Sequence, residues 1–161
     1  ATLLPSQRQQ LAGPTAAALE ACRRGAGSRA TWCDLAAAFN VAEALAEAHI
    51  GGEPLKPAIA AAQAALAAAA GRHAAGGSWT LRGPELTAID EACYWHAWQL
   101  EQATQGELHD AVERVKRRTA GALAGNVGAG TTVCVGGLGR QVEGENVRAK
   151  ATAAGGSPLS E

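Results

Sequence analysis

Ala58–Ala75 reads AIAAAQAALAAAAGRHAA, and it decides the fold. Alanine is the strongest intrinsic helix former, because it loses no side-chain freedom on becoming helical. Glycine pairs close the segment on both sides, Gly51-Gly52 before it and Gly76-Gly77 after it. In a helix from about Pro54 to Ala75 that contains it, Leu55, Ile59, Ala62, Leu66, Ala69 and His73 recur at helical spacing and predict one apolar seam. The rest of the chain repeats the plan. Forty of its 161 residues are alanine, in blocks that glycine and proline cut to helix length.

Outward from that block, four more helices are predicted. Ser6 with Gln9 has the form of a capping box for a first helix ending near Arg24, with Gly25 as its stop. Gly13-Pro14 inside it predicts a kink, or a true start at Pro14. A second helix begins near Ser28 or Thr31 and ends before Gly51, with Trp32, Leu35, Phe39, Ala42 and Ala46 as its seam and Val41 and Leu45 widening it. Ser78–Leu81 reads as an extended link anchored by Trp79 and Leu81. Gly83-Pro84 opens a fourth helix, with proline at its first position and Leu86, Ile89, Cys93, His96, Leu100 and Ala103 as its seam. Thr104 with Glu107 caps a fifth, running to about Ala124, with Leu108, Val112, Val115 and Thr119 on one face. After Gly125 periodicity disappears, apart from a β-prone run at Thr131–Val135. The expected architecture is all-α: an antiparallel bundle of four to five helices in 1–124, followed by a flexible, Gly-rich, largely irregular tail in 125–161.

The totals limit what the chain can do. Fourteen basic against fifteen acidic side chains leave a net charge of −1, without the basic excess that favours phosphate backbones. No run of about 18 charge-free apolar residues suits a bilayer. The N-terminus lacks a signal-peptide pattern, and Ala1 is consistent with a removed initiator methionine, so a cytoplasmic protein is expected. Cys22, Cys33, Cys93 and Cys134 form no CxxC pair and no zinc spacing. They are expected as reduced thiols, although Cys22 and Cys33 flank one turn and could approach each other.

Candidate sites are few. Tyr94-Trp95-His96-Ala97-Trp98 holds three of the six aromatic residues. At helical spacing Tyr94 should stack on Trp98, and one partner face cannot bury all three rings. They either pack against helices one, two and five, or they form a partner surface of the kind that supplies binding hot spots. A nucleobase platform lacks support, since no basic residue lies between Arg82 and Arg114. His49, His73 and His96 sit on apolar seams but do not converge, because His49 and His73 close opposite ends of an antiparallel pair. Glu43 with Glu47, and Asp90 with Glu91, lack the matching Glu-x-x-His helices of a di-metal bundle. Gly125–Gly130 lacks the lysine and preceding strand of a phosphate loop. Arg114, Lys116, Arg117 and Arg118 cluster on the fifth helix, as a solvated helix end or a nucleic-acid contact. No catalytic residue, metal or cofactor is expected.

Three stretches, LAGPTAAALEACRRGAGS, WCDLAAAFNVAEALAEAHIG and GSWTLRGPELTAIDEACYWHAWQLEQA, make about two thirds of the chain resemble small uncharacterised helical proteins of proteobacterial mobile elements and prophages. That resemblance implies a bacterial accessory protein and supplies no catalytic residue. The leading expectation is a non-enzymatic protein acting by interaction or regulation, with a protein partner or self-association as a homodimer. Its expected contacts are Tyr94, Trp95, Trp98, Arg114, Arg117 and Arg118. Two alternatives stand beside it: a DNA-binding regulator using those arginines, and a small-molecule or metal-dependent enzyme built on His96 with Asp90, Glu91 and Cys93.

Overall fold

The computed structural model describes residues 1–125. These form five helices: α1 (Pro5–Arg23), α2 (Arg29–Glu47), α3 (Leu55–Ala74), α4 (Gly83–Gln102) and α5 (Gln105–Gly125). Among the described residues the only β pairing is one antiparallel bridge, Thr2 with Thr104. The expected tail, the run Thr131–Val135 and Cys134 lie outside the described residues.

α1 to α4 close a ring in which each helix packs on its sequence neighbours and α4 returns to α1. α2 also crosses the ring to touch α4, and α2 is the helix against which α5 packs. α2 is therefore the hub, and its sequence shows why. Trp32, Leu35, Phe39, Ala42, Leu45 and Ala46 are all buried, a stripe too wide for a single neighbour. Phe39, Leu35, Leu45, Leu55, Ile89 and Leu100 are sealed from solvent, each such burial stabilising by about 1.5–3 kcal/mol. Alanine does the rest. Ala42, Ala62, Ala69 and Ala92 are fully buried, so these helix backbones approach closely where larger side chains would hold them apart.

The helix ends follow the local chemistry, with some corrections. Ser28 and Thr31 cap α2 reciprocally, and Thr104 and Glu107 do the same for α5. The first helix starts earlier than expected. Its N-cap is Leu4, which has no side-chain acceptor, and Gln7 rather than Gln9 reaches back to the Leu4 amide at 2.8 Å. It then runs unbroken through Gly13-Pro14. Proline there deprives the Gln10 carbonyl of its helix partner, but Gln10 is exposed and water can take that role. Pro84 is the second residue of α4, not the first.

Three helices end in the same hydrogen-bonded hook with a left-handed residue. Gly25 (φ 71°) follows α1 and Gly76 (φ 95°) follows α3, while His49 (φ 63°) follows α2. There Ile50 N donates to Leu45 O at 2.9 Å, the Schellman arrangement. His49 and His73 are exposed, which corrects their expected place on apolar seams. Both lie in the last turn or beyond, where the chain has left the packed face.

The first residues, unassigned by the sequence, are part of the fold. Leu3 is buried, and Ala1 O accepts from Gln105 N at 3.3 Å. The segment thereby clamps the junction of α4 and α5. Ser78–Leu81, expected to be extended, is a link without strand that bends at Trp79, and Trp79 and Leu81 are half-buried against the core.

Candidate functional site

α4 carries the densest chemistry, and its geometry separates what the sequence had left together. Ile89, Ala92, His96, Gln99, Leu100 and Ala103 face inward. Tyr94 is 68% exposed and Trp98 38%, on the opposite side. Trp95 is half-buried and packs against the core. Its ring meets Tyr94 edge-on at 5.5 Å and Trp98 edge-on at 6.1 Å. The expected Tyr94–Trp98 stack is replaced by these two contacts, because Trp95 stands between the two rings. The cluster is thus divided: Trp95 belongs to the core margin, and Tyr94 and Trp98 lie at the surface. Helix five does not share in packing these rings, since α5 packs along α2 and not along α4.

A second aromatic group, not singled out by the sequence reading, closes the other end of the core. Trp32 donates its indole N–H to Leu66 O at 2.8 Å and lies 5.7 Å from Trp79, on which His73 stacks at 4.1 Å. Beside it Arg72 makes a two-pronged bond to Glu85, 2.6 Å on each arm, and donates to Thr80 O. The Arg72 guanidinium, with the Arg82 amide, holds the Glu85 carboxyl below the usual carboxylate range. These bonds fix the α3–α4 link. They are structural.

The buried side of α4 holds a residue the sequence reading missed. Gln99 is 0% exposed. Its amide donates to Ala42 O at 3.0 Å and to Ile50 O at 2.8 Å, so its oxygen is left as an acceptor for His96 Nδ1 at 3.0 Å. That geometry puts the proton of a neutral His96 on Nδ1. Burial pushes the His96 pKa down. His96 keeps the place on the apolar seam that the sequence predicts, and Gln99 satisfies its ring. Only the three-residue spacing of the pair could have pointed to it.

The other candidates do not assemble a reactive centre. His96 faces inward, whereas Asp90 and Glu91 are exposed on the far side of α4. Among the described residues, no three His, Cys, Asp or Glu side chains gather closely enough to hold a metal ion. Cys22 and Cys93 are free thiols, so Cys22 is not bridged to Cys33 across the turn. Burial, reinforced by Asp90, pushes the Cys93 thiol up to about 12, and burial raises Cys22 as well. Neither is a thiolate at neutral pH.

The basic end of α5 is already partly spoken for. Arg118 forks onto both oxygens of Glu47, and Arg114 lies 3.6 Å from the same carboxylate. Lys116 pairs with Glu113 at 2.9 Å. The Arg118 bond, with Arg114 adding to it, keeps the Glu47 carboxyl low. Glu43 accepts from Gln63, so Glu43 and Glu47 serve different neighbours. Arg117 is exposed.

No described helix is long and apolar enough to cross a membrane. No protein-family model matches this chain, and comparison with curated proteins and with solved structures returns no match.

Proposed function

We propose that this protein is a non-enzymatic accessory protein that works by protein–protein contact through the outer face of α4. One observation carries the reading. In a chain with six aromatic residues, Tyr94 and Trp98 are held at the surface while glutamine and histidine are buried behind them. Exposed aromatic side chains bury large area at small entropic cost when a partner covers them, which is why they recur as binding hot spots. The other exposed large apolar side chains of the described residues are Leu4, the N-cap of the neighbouring α1, and Leu11 on α1 itself. A bacterial accessory role, of the kind found among mobile-element and prophage proteins, fits a small interaction module, and the three sequence stretches quoted above are its support.

Ala97 lies exposed on the same side of α4, so a photocrosslinker there reports on the face directly. The expected result is a discrete adduct in bacterial cells, lost in Tyr94→Ala/Trp98→Ala while thermal unfolding stays cooperative. Absence of any discrete adduct, or one indifferent to both substitutions, would sink the reading. Trp95 is left intact because its truncation would open the core.

A further inference from the structure

The face proposed above also carries a charge pattern, and it describes the partner. Steps of three and four residues bring Glu91, Tyr94, Trp98 and Glu101 to one exposed side of α4. Glu91 stands one turn before Tyr94, and Glu101 one turn after Trp98. Neither carboxylate has an ion-pair partner among the described residues, whereas the neighbouring Asp90 is taken by Arg23 at 2.7 Å. No lysine or arginine occurs anywhere in α4. Asp90 and Cys93 mark the flank toward α1, where they meet Arg23 and Cys22. The opposite flank, toward α3, adjoins a helix whose exposed positions from Ala60 to Ala68 are all alanine. The result is an aromatic ridge beside a smooth floor, framed by two unpaired negative charges.

We propose that this face docks an amphipathic helix of a partner protein, its apolar centre on Tyr94 and Trp98 and its cationic side chains on Glu91 and Glu101. The inference rests on the interaction reading above and adds the partner's chemistry. Ten residues at a rise of about 1.5 Å place the two carboxylates about 15 Å apart along the axis. A complementary helix needs lysine or arginine ten or eleven positions apart, with leucine-like residues between. Their stems and charges also suit the exposed aromatic faces through cation–π contact.

A second copy of the chain fits less well. Antiparallel pairing of α4 with its own copy sets Tyr94 opposite Trp98, but it also sets Glu91 opposite Glu101. Like charges then face each other on a helix with no base to offset them, an arrangement that disfavours pairing.

The test uses the full chain and two labelled synthetic 21-residue amphipathic helices, followed by fluorescence anisotropy. Both carry the same leucine face; one has arginines eleven positions apart, the other glutamates there. The arginine peptide is expected to bind about tenfold more tightly than the glutamate peptide, the scale of two rim charge pairs turned from attractive to repulsive. Glu91→Arg/Glu101→Arg should reverse that preference, and both positions are exposed and unpaired, so the variant keeps its fold. Equal binding of the two peptides, no binding of either, or indifference to the double reversal would each overturn the proposal. If light scattering instead shows a dimer dissolved by Trp98→Ala, the occupant is a second copy, and the interaction reading survives without the cationic partner. If the Ala97 crosslinker also captures nothing, both readings fall together.

Discussion

The two ends of the bundle are built on different terms. The larger core draws on α1 to α4, with Leu19, Trp32, Leu35, Phe39, Leu55, Ile59, Leu66 and Ile89 meeting there. The smaller one gathers Leu3, Leu45, Ile50, Leu100, Ala103, Ala111 and Val115, so it depends on the N-terminal segment, a turn and α5. Along α4 the boundary between them is visible residue by residue: Ile89 and Ala92 belong to the first, Leu100 and Ala103 to the second, and His96 and Gln99 lie between. One core is held by side-chain bulk from four helices. The other is held by closure, and a buried polar pair joins the two. Burial of apolar area is forgiving of direction, whereas a buried amide must find each of its partners.

The largest lesion expected lies in the larger core. Phe39→Ala removes a sealed side chain from the hub helix and should cost about 3–5 kcal/mol, read as a lowered denaturant midpoint with both ends unfolding together. Survival of cooperative unfolding within about 1 kcal/mol of the parent would show that α2 is not the hub.

Next comes the polar joint. Gln99→Leu keeps the volume but strands the Ile50 carbonyl and the His96 N–H, and should cost about 2–3 kcal/mol. Because its effect falls between the cores, hydrogen exchange should quicken around Ile50 and the α4–α5 junction before it does so in α3. Uniform loss of protection would mean that the two cores are one.

Acid probes the same joint. The folded His96 resists protonation, so its pKa lies below the unfolded value of about 6.5. Above that value both states are neutral and stability is complete. As pH falls below it, the unfolded chain takes up a proton that the folded chain refuses, and stability declines. The melting temperature should drop between about pH 7 and pH 5, above the range where carboxylates titrate. His96→Asn, whose amide can still donate to Gln99, should flatten that slope. An unchanged slope would assign the acid sensitivity elsewhere.

In the smaller core, Val115→Ala should cost about 1–2 kcal/mol and free α5 preferentially, because α2 is the one helix along which α5 packs. Equal loss of protection in α3 would contradict that independence. The smallest effect is a gain. His49 occupies the left-handed position that glycine fills after α1 and α3. Glycine there relieves strain but is freer when unfolded, so His49→Gly should stabilise by no more than about 1 kcal/mol. A loss would mean that the imidazole makes a contact the hook needs.

Much of this was legible in the order of residues. Alanine blocks between glycine hooks and capping boxes specify five helices, since capping and propensity act within a few residues. The seam of α2, from Trp32 to Ala46, was readable for the same reason. The division of Tyr94, Trp95 and Trp98 between core and surface was not, because neighbouring positions on a helix differ only in which other helix they face. Nor was the role of Gln99, whose partners Ala42 and Ile50 are distant in sequence and whose polarity argues for the surface.

The amino-acid sequence by itself determined that this chain is a set of short helices with narrow apolar seams, because backbone conformation answers to near neighbours. Only the tertiary structure decided that α5 leans on α2, that residues 1–4 clamp a junction, and that, among the described residues, an aromatic ridge stands exposed between two carboxylates without ion-pair partners. Those outcomes depend on which faces meet across the ring, a competition among burial, close approach and polar satisfaction that no single segment contains.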